Sequence, residues 1–507
     1  MKIILIVLYV LANLGIGWYV MRRNKNVSDF FLGGRNIGPW LSAFAYGTTY
    51  FSAVLFVGYA GQLGWNYGLH TMWIVVGNVI VGSFLAWKIL GARTRNMTSR
   101  LNALTMPEFL EARYGSHLLK ALSALVIFCL LVPYSASVYM GLSYLFEKNL
   151  GLSYEWSLYS LAILTGLYII MGGYFALTIT DFVRGIIEIF GVAVMVAYLV
   201  SRQGGFTESI QRLSEKANMP AMNAPPVELP GGIAVSGAMI LFSLVLVTSL
   251  GPWGLPQMVQ KFYSIKSEAD IARTMWVASA FALIIAFGAY FTGALTHLFY
   301  TTPPVPLTEA GKPMLDKLMP VFLVEQTPPA VALIILLLIF SASMSSLSSL
   351  VLVASSAIVI DLLGGKRKEG KQHSIRLMRV FCAVFVGLSL FVALGEFSII
   401  MNLMVMSWGA LAGSFLAPFI YGLFWKRATR PAAIVSFFTG LVLSLGLSIY
   451  WGRAGIPIAG AIAIVTPLVV MPIVSLLTPK MDETRVRAAF GDNLPAPEET
   501  LEATVPA

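Results

Sequence analysis

The fold class this sequence predicts is an all-α polytopic membrane protein, and three observations predict it. Apolar runs of about 20 residues, each long enough to cross a bilayer as a helix, recur from one end to the other. Only 11% of the 507 residues are charged, against about 25% in average soluble proteins. Two of the apolar runs are interrupted by glycine, proline and hydroxyl residues, and these two lie five runs apart. The strand-length alternation of a membrane barrel is absent from the pattern.

About thirteen spans are expected on this basis. They lie near residues 2–21, 38–62, 66–90, 118–146, 154–172, 177–201, 232–258, 273–300, 328–360, 376–395, 398–424, 431–451 and 457–478. The first run is long, has no small-residue cleavage site after it, and is followed by Arg22, Arg23 and Lys25, so it reads as a retained helix rather than a signal peptide. With the N-terminus outside, five basic clusters fall on the cytoplasmic side: Arg22/Arg23/Lys25/Arg35, Arg93/Arg95/Arg100, Lys261/Lys266, Lys366/Arg367/Lys368/Lys371 and Lys426/Arg427/Arg430. That distribution predicts a multi-pass cell-membrane protein with a cytoplasmic C-terminus. It also accounts for the net charge of +10 without nucleic acid. Residues 479–507 are polar and rich in Pro and Glu, and a flexible cytoplasmic tail is expected there.

The second span contains Tyr46-Gly47-Thr48-Thr49-Tyr50-Phe51-Ser52, and the seventh contains Gly251-Pro252-Trp253-Gly254-Leu255-Pro256. Such residues break helices and free backbone carbonyls. Paired interrupted spans in corresponding positions point to a transporter built as an inverted repeat. The expected organisation is a leading helix and loop (1–37), a first five-helix repeat (38–201), a second (202–424), two trailing helices (425–478) and the tail (479–507).

The ninth span carries Ser341-Ala-Ser-Met-Ser-Ser-Leu-Ser-Ser349 inside an otherwise apolar helix. Ala342, Ser345, Ser346 and Ser349 share one helical face. Small residues there suit close helix packing; a cluster of hydroxyls at bilayer depth also suits a hard, oxygen-seeking cation such as sodium. Asp181 opens the sixth span, with Arg184 and Glu188 on the same face. These three form either a self-neutralising ladder or, through Asp181, an anionic ligand for a cation held by the ninth span.

Motifs for enzymes are missing. There is no G-x-S-x-G, H-E-x-x-H or P-loop, so neither an enzyme nor an ATP-driven pump is expected. Cys129 and Cys382 form no redox or zinc spacing, and His70, His117, His297 and His373 make no metal motif. Repeated selectivity-filter loops of a channel are not visible.

Several segments, taken in order, resemble the sodium/solute symporter family, which includes proline, pantothenate, sialic acid and sugar symporters. They are Asp29-Phe-Phe-Leu-Gly-Gly-Arg35, the interrupted helix from Gly47 to Gly61, Ala103-Leu-Thr-Met-Pro107, Gly172-Gly173 through Thr180-Asp181, and Met344 to Ser349 leading to Asp361-Leu362. The resemblance covers roughly residues 5–475 and implies a LeuT-type fold of five plus five helices. It also implies a shared sodium site formed by the carbonyls of Thr48, Phe51 and Ala342 and the hydroxyls of Ser345 and Ser346. A second sodium site would comprise Asp181, Ser345, Ser348 and Ser349. This chain departs from the family in having Arg184 where glutamine is usual, and a cation there would take the place of the second sodium. Ser341 and Ser343 are left as packing residues.

Solute is expected beside the two breaks, where half-helix N-termini suit a carboxylate. Tyr46, Thr49, Tyr50 and Ser52 would supply hydroxyls, Trp253 a wall, and His70 a further polar group. The Thr49–Ala53 stretch is more similar to pantothenate and monocarboxylate symporters than to proline symporters, which typically carry an acidic residue where Tyr50 stands. The expected function is sodium-coupled symport, with one or two Na+ as coupling ion, of a small organic solute such as a monocarboxylate, pantothenate or proline. Proton-coupled transport on the same fold and a transporter-like sensor acting with a separate kinase are the alternatives. The expected partners are the solute and the lipid bilayer, with no nucleic acid and no obligate protein.

Overall fold

The computed structural model describes residues 2–21, 31–216, 219–307, 311–364 and 371–491. Asp29 and Phe30 of the first motif, the basic residues Arg22, Arg23, Lys25, Lys366, Arg367 and Lys368, and the tail from 492 onward lie outside the described residues.

Among the described residues, nine helical stretches are long and apolar enough to cross a membrane. The expected spans map onto longer helices than their hydropathy boundaries suggested. The stretch Val54–Arg100 joins half of the second span to the third through a bend at Gly68, whose φ of 52° suits a residue without Cβ. Arg430–Leu477 joins the last two spans through Gly452 at φ 64°. The fifth and sixth spans lie within one helical stretch, Tyr154–Ser201. A span count read from hydropathy therefore does not match the observed helices one to one.

Eight helices position the site: α1 (Pro39–Tyr50), α2 (Ala60–Tyr67), α3 (Tyr154–Ser201), α4 (Gly237–Gly254), α5 (Pro256–Ser264), α6 (Ala269–Phe299), α7 (Pro329–Ser356) and α8 (Ile400–Phe424). α7 begins on Pro329 and is buried on nearly every side from Ala332 onward. That is the place for a helix apolar all round. It packs against α1, α3, Lys371–Leu394 and His117–Leu150. α8 packs against α4, Arg430–Leu477 and His117–Leu150.

Both interruptions are real breaks, and each has a local cause. α1 stops where Phe51 turns extended (φ −116°, ψ 129°). The chain then resumes through a wide π turn, Val54–Tyr59, into α2. Such turns leave backbone groups without i−4 partners. In the second interruption the helix runs through Gly251 and Pro252 and breaks at Leu255 (φ −80°, ψ 123°). The residue before a proline is pushed out of the helical region, so Pro256 sets that point. Gly254 instead serves close helix contact, since a Cβ there would lie 3.0 Å from the Leu416 backbone nitrogen of α8.

α2 and α6 touch backbone to backbone. A Cβ on Gly64 would lie 2.3 Å from the Gly293 carbonyl carbon, and one on Gly293 would lie 2.1 Å from the Ala60 oxygen. At one end of the bundle the scattered motifs meet. The Arg35 guanidinium donates to Thr98 Oγ1 (3.1 Å) and the Tyr263 carbonyl (3.3 Å), and Thr105 donates to Asp361 (2.7 Å).

Two expectations change. Residues Glu483–Phe490 form a helix within the stretch expected to be a flexible tail. Asp482 caps its first turn, Glu483 pairs with Arg487, and Gly491 closes it in the left-handed conformation. Lys261, counted above with the basic loop residues, is fully buried inside α5. The helix that begins at Pro256 carries it back into the protein.

Candidate functional site

The break in α1 gathers oxygen atoms around the serine-rich face of α7. The Ser346 hydroxyl lies 3.2 Å from the Thr48 carbonyl oxygen, 3.3 Å from that of Thr49 and 3.4 Å from that of Phe51. A hydroxyl has one proton, so it satisfies at most one of these three carbonyls. Ser345 donates to Thr48 Oγ1 (2.8 Å), which in turn donates to the Phe44 carbonyl (2.9 Å). Thr48, Phe51, Ala342, Ser345 and Ser346 are all buried. These carbonyl and hydroxyl oxygens converge on one point of the break, the kind of ligand a hard cation takes. Among the described residues, no group of three or more His, Cys, Asp or Glu side chains is placed to hold a metal. The donors here are neutral carbonyl and hydroxyl oxygens, which fit a hard monovalent cation.

Ser343, left above as a packing residue, accepts a hydrogen bond from the Ala53 backbone N–H (3.2 Å). It holds the first residue of the resumed helix against α7.

The second proposed set is occupied differently. Asp181 and Arg184 are fully buried and pair at 3.4 Å. Ser348 turns its hydroxyl onto the Met344 carbonyl of its own helix (2.6 Å). Ser349 lies 3.0 Å from Thr49 Oγ1 and accepts from the Lys261 ammonium at 3.3 Å. Lys261 also lies over the Tyr174 ring, 5.0 Å from its centroid. Sequence reasoning missed Lys261. Its position five residues after the helix-starting Pro256 was the signal that could have found it.

Beyond the break, Tyr50, Phe51, Ser52, Leu55, Tyr59, Asn78, Thr248, Tyr290, Met404 and Trp408 line a narrow cavity of ≈ 20 Å³. Tyr50 stacks on Phe51 (4.5 Å) and donates to the Thr248 carbonyl (2.6 Å), which ties α1 to α4. Among the described residues no lining side chain is charged; hydroxyls, one amide, aromatic faces, Leu55 and Met404 make the wall. Of the expected solute contacts, Tyr50 and Ser52 reach this pocket. Thr49 faces Ser349 instead. Tyr46 packs between Trp87 and Phe262, Trp253 donates to the Val81 carbonyl (2.9 Å), and His70 is exposed. These four do not line the pocket. Asn78, Tyr290, Met404 and Trp408 do, and no local sequence pattern marks them.

Residues 30–440 match the sequence profile of the Sodium:solute symporter family. The chain is similar to a sodium/proline symporter of Salmonella typhimurium, at 27% identity covering 88% of this chain and 87% of the relative. An osmoregulated proline transporter of Bacillus subtilis is 25% identical, covering 85% of this chain and 86% of the relative. Among solved structures, a Na+-coupled sialic acid symporter in a substrate-bound outward-open state superposes with a TM-score of 0.78 at 19% identity, covering 95% of this chain and 98% of that one. A nucleobase-cation-symport-1 family transporter superposes with a TM-score of 0.55 at 12% identity, covering 92% and 99%. Both likenesses concern the fold.

Proposed function

The chain belongs to the sodium:solute symporter family, and we propose that it carries a small organic solute into the cell together with sodium by alternating access. The observation that carries this reading is the double use of Phe51. Its carbonyl belongs to the oxygen cluster around Ser346, and the same residue lines the neighbouring pocket. A sodium ion held by the Thr48, Phe51 and Ala342 carbonyls with Ser345 and Ser346 would fix the break in α1 and thereby shape one wall of the pocket. Loss of the ion would release both.

The pocket is small, uncharged and rich in hydroxyl and aromatic groups, which suits a compact solute whose charges are internally balanced or met by backbone N–H groups. Proline is the first candidate, because the curated relatives are proline transporters. Monocarboxylates and pantothenate follow from the Thr49–Ala53 stretch. The two breaks support an inverted arrangement of five plus five helices, and the basic residues support an outside N-terminus. The membrane potential supplies about 2.3 kcal/mol per charge per 100 mV, so one sodium drives roughly 50-fold accumulation of a neutral or zwitterionic solute.

The test is uptake of labelled proline, pantothenate and a monocarboxylate by proteoliposomes under an inward sodium gradient. Accumulation of one of them with sodium and not with potassium supports the reading. Uptake driven equally well by a proton gradient without sodium overturns it.

A further inference from the structure

We infer that Lys261 is a tethered cation that fills the charge position beside Asp181 and Ser349, so that the transporter binds one sodium and not two. The inference rests on the sodium-symport reading above and concerns its stoichiometry.

Seven side chains from four helices meet at this place. Asp181, Arg184 and Glu188 come from α3, Lys261 from α5, Ser345 and Ser349 from α7, and Thr49 from α1. All are buried, and the four charged ones are fully so. A buried charge persists only if it is paired. Here the Asp181 carboxylate faces two bases, Arg184 and Lys261, so its charge is matched without any ion. Arg184 pairs with Asp181 directly, and Lys261 and Arg184 both lie within electrostatic range of the same carboxylate. The Tyr174 ring under the ammonium adds the attraction of an aromatic face for a cation.

The oxygens are committed as well. Ser349 accepts from Lys261, which leaves its own proton for Thr49. Ser348 donates back to Met344, and Ser345 donates to Thr48. A second sodium would bring an unmatched positive charge next to an ammonium into a site whose hydroxyls already have partners. Lys261 does for this place what such an ion would do. Through Ser349 it joins α5, which follows the second break, to Thr49 of α1, which precedes the first.

The experiment is saturation binding of radioactive sodium to the purified full-length protein, counted per chain, for wild type, Lys261→Arg, Lys261→Met and Lys261→Met/Asp181→Asn. The expected counts are one, one, two and one. Lys261→Arg keeps the charge and should keep the count, which a purely steric role for Lys261 would not require. A count of two in wild type, or of one in a folded Lys261→Met, overturns the inference and leaves sodium symport standing. If Lys261→Met does not fold, the wild-type count decides: one supports the inference and two overturns it. A count of zero in wild type overturns sodium coupling, and the inference with it.

Discussion

The hydroxyl oxygen of Ser346 lies 3.4 Å from the carbonyl oxygen of Phe51, 295 residues away in the chain. The contact joins the serine-rich helix to the break in α1. Because Phe51 also lines the pocket, anything that draws these two oxygens together also sets the pocket wall. Substitutions at this contact and at its supports should separate the proposed sodium site from the proposed solute pocket.

Ser346→Ala removes one oxygen from the cluster and leaves the carbonyls in place. A hydrogen-bonding group facing a charge contributes about 1.5–3 kcal/mol, so the sodium concentration for half-maximal uptake should rise roughly 10- to 100-fold. Uptake at saturating sodium should persist. An unchanged sodium dependence would show that this hydroxyl is not a ligand.

Tyr50→Phe deletes the hydroxyl that donates to the Thr248 carbonyl and loosens the tie between α1 and α4. The half-saturating solute concentration should rise about fivefold, the equivalent of about 1 kcal/mol. Sodium dependence at saturating solute should stay where it is. Kinetics indistinguishable from wild type would remove Tyr50 from the pocket.

Gly82→Ala places a methyl 2.2 Å from the Tyr50 hydroxyl oxygen. Such overpacking costs about 1–3 kcal/mol and should push the tyrosine ring into the pocket. Solute affinity should fall while sodium binding at Ser346 is preserved. Gly38→Ala is the control, since a Cβ there meets nothing within 4 Å. Equal effects of the two substitutions would refute the steric argument.

Asp316, in the loop between α6 and α7, accepts from Gln62 (2.8 Å) and from the Ile400 backbone N–H (3.0 Å). Burial pushes its carboxyl up to about 6, against the opposing pull of those two donors. A raised folded-state pKa means that the stability this group contributes is fully present below the unfolded value. It is lost as pH rises through about 6. Between pH 5 and pH 8 the loss should be about 1 kcal/mol. Thermal midpoints of wild type should therefore fall relative to Asp316→Asn over this range. Parallel curves for the two proteins would contradict the assignment.

How much of the site was legible varies by residue and has a physical pattern. Gly47 and the hydroxyls after it announced the first break, because glycine weakens a helix wherever it stands. Pro256 placed the second break at Leu255, one turn later than Gly251 and Pro252 suggested. A proline acts on the residue before it, whereas Pro252 is accommodated inside the helix. Lys261 was misplaced because a lysine at the end of a hydropathy window looks the same whether the chain leaves the bilayer or re-enters a helix. His70 and Trp253 illustrate the opposite error. His70 sits exposed in the short 3-10 turn after the Gly68 bend, and Trp253 is turned onto the Val81 carbonyl.

By itself the sequence determined that this protein is a helical membrane protein with two broken spans, a hydroxyl-lined ninth span and the motifs of a known symporter family. Hydropathy, glycine and proline act over a few neighbouring residues, so those properties can be read without knowing any long-range contact. Only the tertiary structure decided that Ser346 meets the carbonyls of Thr48, Thr49 and Phe51. It alone showed that Asn78, Tyr290, Met404 and Trp408 close the pocket, and that Lys261 stands beside Ser349 within reach of Asp181. Those meetings depend on how deeply each helix is inserted and how far it is turned about its axis. Packing against distant helices sets both, and no local pattern records them.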